Sequence, residues 1–300
     1  MKKNRLSMPK AAWLIFALCA VYLLILLIPY VYAFFASVSD YKEYYFSVFP
    51  FPKNGLKLYY YIDAWNNLSY EGNGIPQMIL HSLWFAGGGA VLGVTLSTCG
   101  AYVCAKYIFF GRKFLYWFAL ITMMIPVVGS MPSTLKYVSA LGVYDSPLYV
   151  LAMCQTINAA FIIMYSCFQS VDWAYAESAF IDGAGHFRVF FKIMLPQVIS
   201  PMTALILSDF ILFWADVESS LVYYPNLPTL STGLYHFRSD VITVAGMQRY
   251  PAYFAAILLC VIPTVTLFAV FQKKLMDIQM SGGLKGLIWK RSMDLYEKMV

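Results

Sequence analysis

The stretch Asp172-Trp173-Ala174-Tyr175-Ala176-Glu177-Ser178-Ala179-Phe180-Ile181-Asp182-Gly183-Ala184, followed by Ile193-Met194-Leu195-Pro196 and Pro201, is polar ground between hydrophobic segments long enough to cross a bilayer. Asp172 stands where it can cap a helix start, its carboxylate accepting from the orphan backbone N–H groups there. Gly183 can stop that helix by taking the left-handed conformation that residues with side chains resist. A second helix is expected from about Gly185. There Phe187, Phe190, Phe191 and Met194 recur at i, i+3, i+4 and i+7 as one apolar stripe, with Arg188 and Lys192 off it. Pro196 suits the first turn of a further helix, where its missing N–H costs nothing. The stretch reads as two short helices with a bend. They either pack on their own membrane domain or meet another protein.

Composition sets the surroundings of this loop. The chain is 61% hydrophobic and 12% charged, with a mean hydropathy of +0.65. Soluble domains carry roughly twice that charged share, so this is an all-α integral membrane protein. The net charge of +6 would fit a nucleic-acid partner, but its distribution argues for none. Cys19, Cys99, Cys104, Cys154, Cys167 and Cys260 all fall in expected spans or at their ends. Without a Cys-x-x-Cys pair they read as apolar thiols, neither metal ligands nor disulfides.

Six transmembrane helices are expected, over residues 11–36, 78–106, 113–134, 146–168, 197–222 and 252–273, each with about 20 apolar residues. An even number puts both termini on one side. With the termini inside, Lys2, Lys3, Arg5, Lys10, Lys106, Arg112, Lys113, Arg188, Lys192, Lys273, Lys274, Lys285, Lys290, Arg291 and Lys298 are cytoplasmic. That is most of the 21 basic residues. The positive-inside bias therefore places both termini and the 172–196 loop in the cytoplasm. The basic start resembles a signal peptide, but the apolar run is too long and lacks a clear cleavage site, so the first helix is expected to be retained.

The first outer loop, 37–77, is rich in Tyr, Asn, Gly and Pro, and the last, 223–251, holds Pro225, Pro228 and Pro251. Tyr59, Tyr60, Tyr61 and Trp65 in the first are either interfacial anchors or sugar-stacking platforms. Gly88 and Gly93 have the glycine spacing of a phosphate-binding loop, but Val94 replaces the required lysine. The glycines at 87–93 are better read as close helix packing. His81, His186 and His236 are not placed to activate a mid-membrane nucleophile, so no catalysis is expected. Asp209 lies roughly 18 Å into its span. A carboxylate at that depth faces a cavity, touches a gate, or packs in protonated form. Asp216 follows seven residues later on the same expected face.

The loop resembles the EAA loop of binding-protein-dependent ABC importer permeases. Its pattern is Glu-Ser-Ala-x-x-Asp-Gly-Ala, nine residues, then Ile-x-Leu-Pro, with Ser178 in place of the second Ala. Further stretches resemble the sugar-importer branch, in order: His81-Ser82-Leu83, Gly100-Ala101-Tyr102 with Lys106, Phe110-Gly111-Arg112, Met124-Ile125-Pro126, Trp214-Ala215-Asp216, Pro228 to Leu234, and Met280 to Gly286. The resemblance implies a type I ABC importer permease fold, similar to the six-helix maltose-transporter subunit. An N-terminal helix and outer loop would span 1–77, a five-helix core 78–286, and a cytoplasmic tail 287–300.

It also implies a bacterial cell-membrane location and transport of a carbohydrate. The partners would be a second permease subunit forming a heterodimer, a dimer of ABC ATPases and an extracytoplasmic solute-binding protein. ATP and magnesium would sit on the ATPases, and this chain would hold no cofactor. Glu177, Ser178, Ala179, Asp182, Gly183 and Ala184 would form the ATPase contact. Asp209, Trp214 and Asp216 are the translocation-path candidates. The rival expectation is a stand-alone ion-coupled carrier using Asp209, which would usually show repeated halves.

Overall fold

The computed structural model describes residues 10–125, 129–243, 249–266 and 268–269. Lys2, Lys3, Arg5, Pro126, Lys273, Lys274, the Met280 to Gly286 motif and the tail at 287–300 lie outside the described residues. In chain order the helices are α1 (Lys10–Val38), α2 (Tyr41–Phe46), α3 (Tyr59–Asn67), α4 (Ile75–Ser82), α5 (Gly89–Lys106), α6 (Arg112–Met124), α7 (Met131–Ala140), α8 (Tyr149–Ala152), α9 (Ala159–Ser170), α10 (Ala174–Ile181), α11 (His186–Val189), α12 (Leu195–Trp214), α13 (Glu218–Tyr223) and α14 (Leu230–Thr243). A last described helix, α15, covers Tyr250–Thr266. A two-stranded hairpin pairs Ser69–Tyr70 with Asn73–Gly74.

Contacts divide the molecule into two units. One comprises the described part of Met1–Ser69 with Leu234–Ile262; the other comprises Tyr70–Gly233 with the described residues from Pro263 onward. The division expected at 77/78 falls inside α4.

In the first unit, α1 is apolar all round and exposed along nearly its whole length. Such a helix needs lipid or another helix as its solvent. Past its end, Ser39 donates to the Pro50 carbonyl at 2.8 Å and Lys57 N–H to the Val38 carbonyl at 2.7 Å. Asp40 and Glu43 form a reciprocal cap on α2. Tyr61 shares a 2.8 Å hydrogen bond with Ser37, and Tyr60 is buried, so these two tyrosines hold α3 to the end of α1. Burial pushes the Tyr60 hydroxyl above its ordinary value. Tyr59 and Trp65 stay exposed. Arg249 pairs with Asp63 at 2.9 Å.

In the second unit, α4 runs into α5 through a π-helical turn at Leu83–Gly88. The result is one apolar helix from Ile75 to Lys106. The expected close packing is present at Gly88 and Gly89 but not at Gly93, where nothing lies within 4 Å of a Cβ position. A Cβ on Gly89 would stand 3.2 Å from the Met153 methyl and 3.3 Å from the Phe213 ring. The core joins α5, α9, α10 and α12 through Val94, Ala101, Phe161, Met164, Phe168, Ala179, Met194 and Val198. A smaller aromatic core gathers Phe85, Tyr149, Tyr223 and Tyr224.

Among the described residues, three helices are long and apolar enough to span: Ala12–Val38, Ile75–Lys106 and His186–Trp214; Ala159–Ser170 and Tyr250–Thr266 are shorter apolar helices. The unbroken spans expected at 113–134, 146–168 and 197–222 need correction. The first stops at Met124 and resumes as α7. The second is split between α8 and α9. The third ends at Trp214, before α13. Hydropathy averages over such breaks, because each is short and flanked by long apolar runs.

Candidate functional site

The 172–196 loop packs against the core of the second unit through Ala176, Ala179, Val189, Phe190 and Met194. Val171 closes α9, and Asp172 accepts from the Ala174 N–H at 3.0 Å, as its position at a helix start requires. Helix α10 buries Ala176 and Ala179 in the core and exposes Tyr175, Glu177 and Ser178. Ser178 turns its hydroxyl back onto the Ala174 carbonyl at 2.8 Å.

Helix α10 ends in a paired motif. The Gly183 N–H donates to the Phe180 carbonyl at 3.0 Å, and the Ala184 N–H to the Ala179 carbonyl at 2.9 Å. This is the six-to-one and five-to-two pairing of a Schellman stop, and Gly183 holds φ +80°. Ile181, 85% exposed, and Asp182 project at this turn, while Ala184 is half-buried. Of the expected contact residues, Glu177, Ser178, Asp182 and Gly183 are therefore open, and Ala179 is the anchor beneath them.

The second helix differs from the expectation. It does not stop before Pro196. Helix α11 passes through a π-helical turn at Phe190–Met194 directly into α12. The Leu195 N–H reaches back five residues to the Phe190 carbonyl, so the missing N–H of Pro196 falls where the register shifts. That extra residue also splits the expected stripe. Phe190 and Met194 turn inward, whereas Phe187 and Phe191 are exposed. Phe187, Phe190 and Phe191 instead line an apolar cavity of about 440 Å³ with Cys99, Tyr102, Val103, Tyr107 and His186.

The path candidates are dispersed along α12. Asp209 is half-buried. Trp214 is buried against Phe210, with ring centroids 5.6 Å apart. Asp216 is not on a shared helical face with Asp209, since α12 has already ended. Its carboxylate accepts from the Ser219 N–H at 3.0 Å and caps α13.

The sequence reading missed the break at 153–158. There Asn158 caps α9 by accepting from the Phe161 N–H at 3.1 Å. Ser97 of α5 donates to the Gln155 carbonyl and bonds the Asn158 side chain, both at 3.0 Å. The Gln155 and Thr156 side chains are exposed. The available signal was the Gln-Thr-x-Asn polarity at 155–158 in the middle of an apolar run.

The model of the family described as "Binding-protein-dependent transport system inner membrane component" matches residues 89–276. This is more than half of the chain and includes the whole loop. The chain belongs to this family.

Relatives of this permease extend the match beyond that region. The diacetylchitobiose uptake system permease protein NgcG of Streptomyces coelicolor is 25% identical over 263 residues, 86% of this chain and 84% of its own. The galactooligosaccharides transport system permease protein GanQ of Bacillus subtilis is 30% identical over 212 residues, 67% of this chain and 70% of its own. Among solved structures, a bacterial ABC transporter involved in the import of alginate superposes with a TM-score of 0.72, covering 90% of this chain and 99% of that one, at 18% identity. That likeness shows the fold, the helical type I ABC importer permease arrangement. The permease is thus an inner-membrane component of a binding-protein-dependent transport system, and the ion-coupled carrier gains no support from any comparison.

Proposed function

We propose that this permease forms half of the translocation path of an ATP-driven importer for a carbohydrate. Its relatives are named for diacetylchitobiose and galactooligosaccharides, which supports the substrate class. The reading adds a second permease subunit, an ABC ATPase dimer holding ATP and magnesium, and a solute-binding protein on the outer face. The crossings number six, with both termini cytoplasmic, in line with the charge bias.

The observation that carries the reading is the form of α10. Its alanine face is locked into the core, its Glu177 and Ser178 face is open, and its end is fixed by Gly183. A helix held on one side and bare on the other is built to be pushed by a partner. Tyr175 and Ile181 are large apolar groups left open there, which suits docking rather than simple solvation.

The path lies at the interrupted segment. Non-helical backbone at membrane depth is tolerated only where protein buries it or water lines it. Helix α9 rises about 18 Å from its cytoplasmic end to the break. The exposed Gln155 and Thr156 offer hydrogen-bonding groups to a sugar at that level, and Asp209 remains a path candidate.

The test is reconstitution. Detergent-solubilised permease should co-purify with an ABC ATPase. Liposomes holding the assembly should accumulate oligosaccharide only with internal ATP and external binding protein. Uptake by the lone chain under a proton or sodium gradient would overturn the proposal.

A further inference from the structure

Two residues at the end of α5 hold both sides of the loop. Lys106, the last residue of α5, donates its ammonium to the Val171 carbonyl, the closing residue of α9. A cation there meets the negative end of the α9 dipole, and Asp172, the next residue, accepts from the Ala174 N–H at the start of α10. Tyr107 follows. Its hydroxyl shares a 2.9 Å hydrogen bond with His186 Nδ1 at the start of α11.

The rings close a circuit around α10. Tyr107 meets Trp173 edge-on at 6.0 Å, Trp173 meets Phe180 at 6.1 Å, and Phe180 meets His186 at 4.9 Å. Trp173 and Phe180 sit at opposite ends of α10, so Tyr107 at the end of α5 and His186 at the start of α11 clasp that helix. Beside the clasp lies the apolar cavity, lined by Tyr102, Tyr107, Phe187 and Phe190 among others. It leaves space for the walls to shift, which a close-packed core would not.

Helix α5 leads from this clasp to the break. Ser97 lies nine residues before Lys106, about 13 Å along the helix, and bonds Gln155 and Asn158. We propose that Lys106 and Tyr107 are positioning residues for transport. They fasten the coupling helix to α5, and the Tyr107–His186 bond decides whether displacement of α10 reaches Ser97 and the interrupted segment. The inference rests on α10 being the ATPase contact. Spatial continuity alone does not establish coupling, so the test measures coupling directly.

The intact complex in nanodiscs, with ATPase and binding protein, is assayed for ATP hydrolysis. Stimulation is read on adding binding protein with diacetylchitobiose or galactooligosaccharides. Tyr107→Phe and His186→Phe keep the rings and remove the bond. Each should lower stimulated hydrolysis roughly threefold to tenfold, the worth of one hydrogen bond, with ATPase retention and basal hydrolysis within about twofold of the parent. The double variant should fall no further than the worse single one, because both remove the same bond. Lys106→Met should also lower stimulation, and Lys106→Arg should restore most of it. Unchanged stimulation in both single variants, or additive losses in the double, would overturn the clasp. Failure of the unsubstituted permease to retain any ATPase would instead overturn the coupling-loop reading.

Discussion

At the residue scale, Gly183 is the position where local geometry and the proposed function coincide. Its φ of +80° is left-handed, and nothing lies within 4 Å of where a Cβ would sit. The constraint is thus backbone strain rather than crowding. Gly183→Val places a β-branched residue in a conformation costing at least about 1–2 kcal/mol, and the last turn of α10 should open. ATP-driven uptake should fall about tenfold or more, while the amount of permease in the membrane stays near normal. Uptake at the parental rate would remove Gly183 from coupling. Asp209 makes the opposite case. Asp209→Asn keeps the shape and removes the charge, so ATP-driven uptake of oligosaccharide should largely survive. Abolished uptake with the complex still assembled would show that the charge itself is required.

At the scale of elements, the broken fourth segment and the continuous loop-to-α12 helix both escaped the sequence reading. The hydrophobic average over 146–168 is high enough to suggest one helix, yet Asn158 starts a new one. Asn can bond its own backbone, so it competes with helix continuation wherever a neighbour such as Ser97 satisfies the freed groups. Asn158→Ala removes an N-cap worth about 1 kcal/mol and one partner of Ser97. Thermal unfolding of the detergent-solubilised permease should shift down by a few degrees, a shift of the size about 1 kcal/mol produces in domains of 150–250 residues. An unchanged or raised midpoint would mean that the break is not held by this cap. Pro196 does lie in the first turn of α12, as its missing N–H suits, but no break precedes that helix. The proline marks a possible helix start, but a π-helical turn can carry a helix across it, and only the packed positions of Phe190 and Met194 show that it does.

At the scale of the molecule, the proposed topology rests on the distribution of basic residues. Single cysteines placed at Ser292 should react with an impermeant maleimide only from the cytoplasm, and one at Asn67 only from outside. The reverse pattern at either site would overturn the six-span orientation. The same scale explains the exposed length of α1. An isolated chain leaves that surface bare, and lipid or companion subunits are the physical candidates to cover it.

The sequence by itself determined that this is a helical membrane protein, where the apolar helices ending at Val38 and Lys106 run, and where α10 starts and stops. Those features depend on local chemistry: a carboxylate by free N–H groups, a glycine at a positive φ, and runs of apolar side chains. The tertiary structure alone decided the breaks in the spans, the division of the phenylalanine stripe, and the meeting of Lys106 and Tyr107 with Val171 and His186. Those pairs are separated by 65 and 79 residues. No local pattern specifies which polar groups will meet across packed helices, because that depends on how the helices cross and on where a π-helical turn shifts the register.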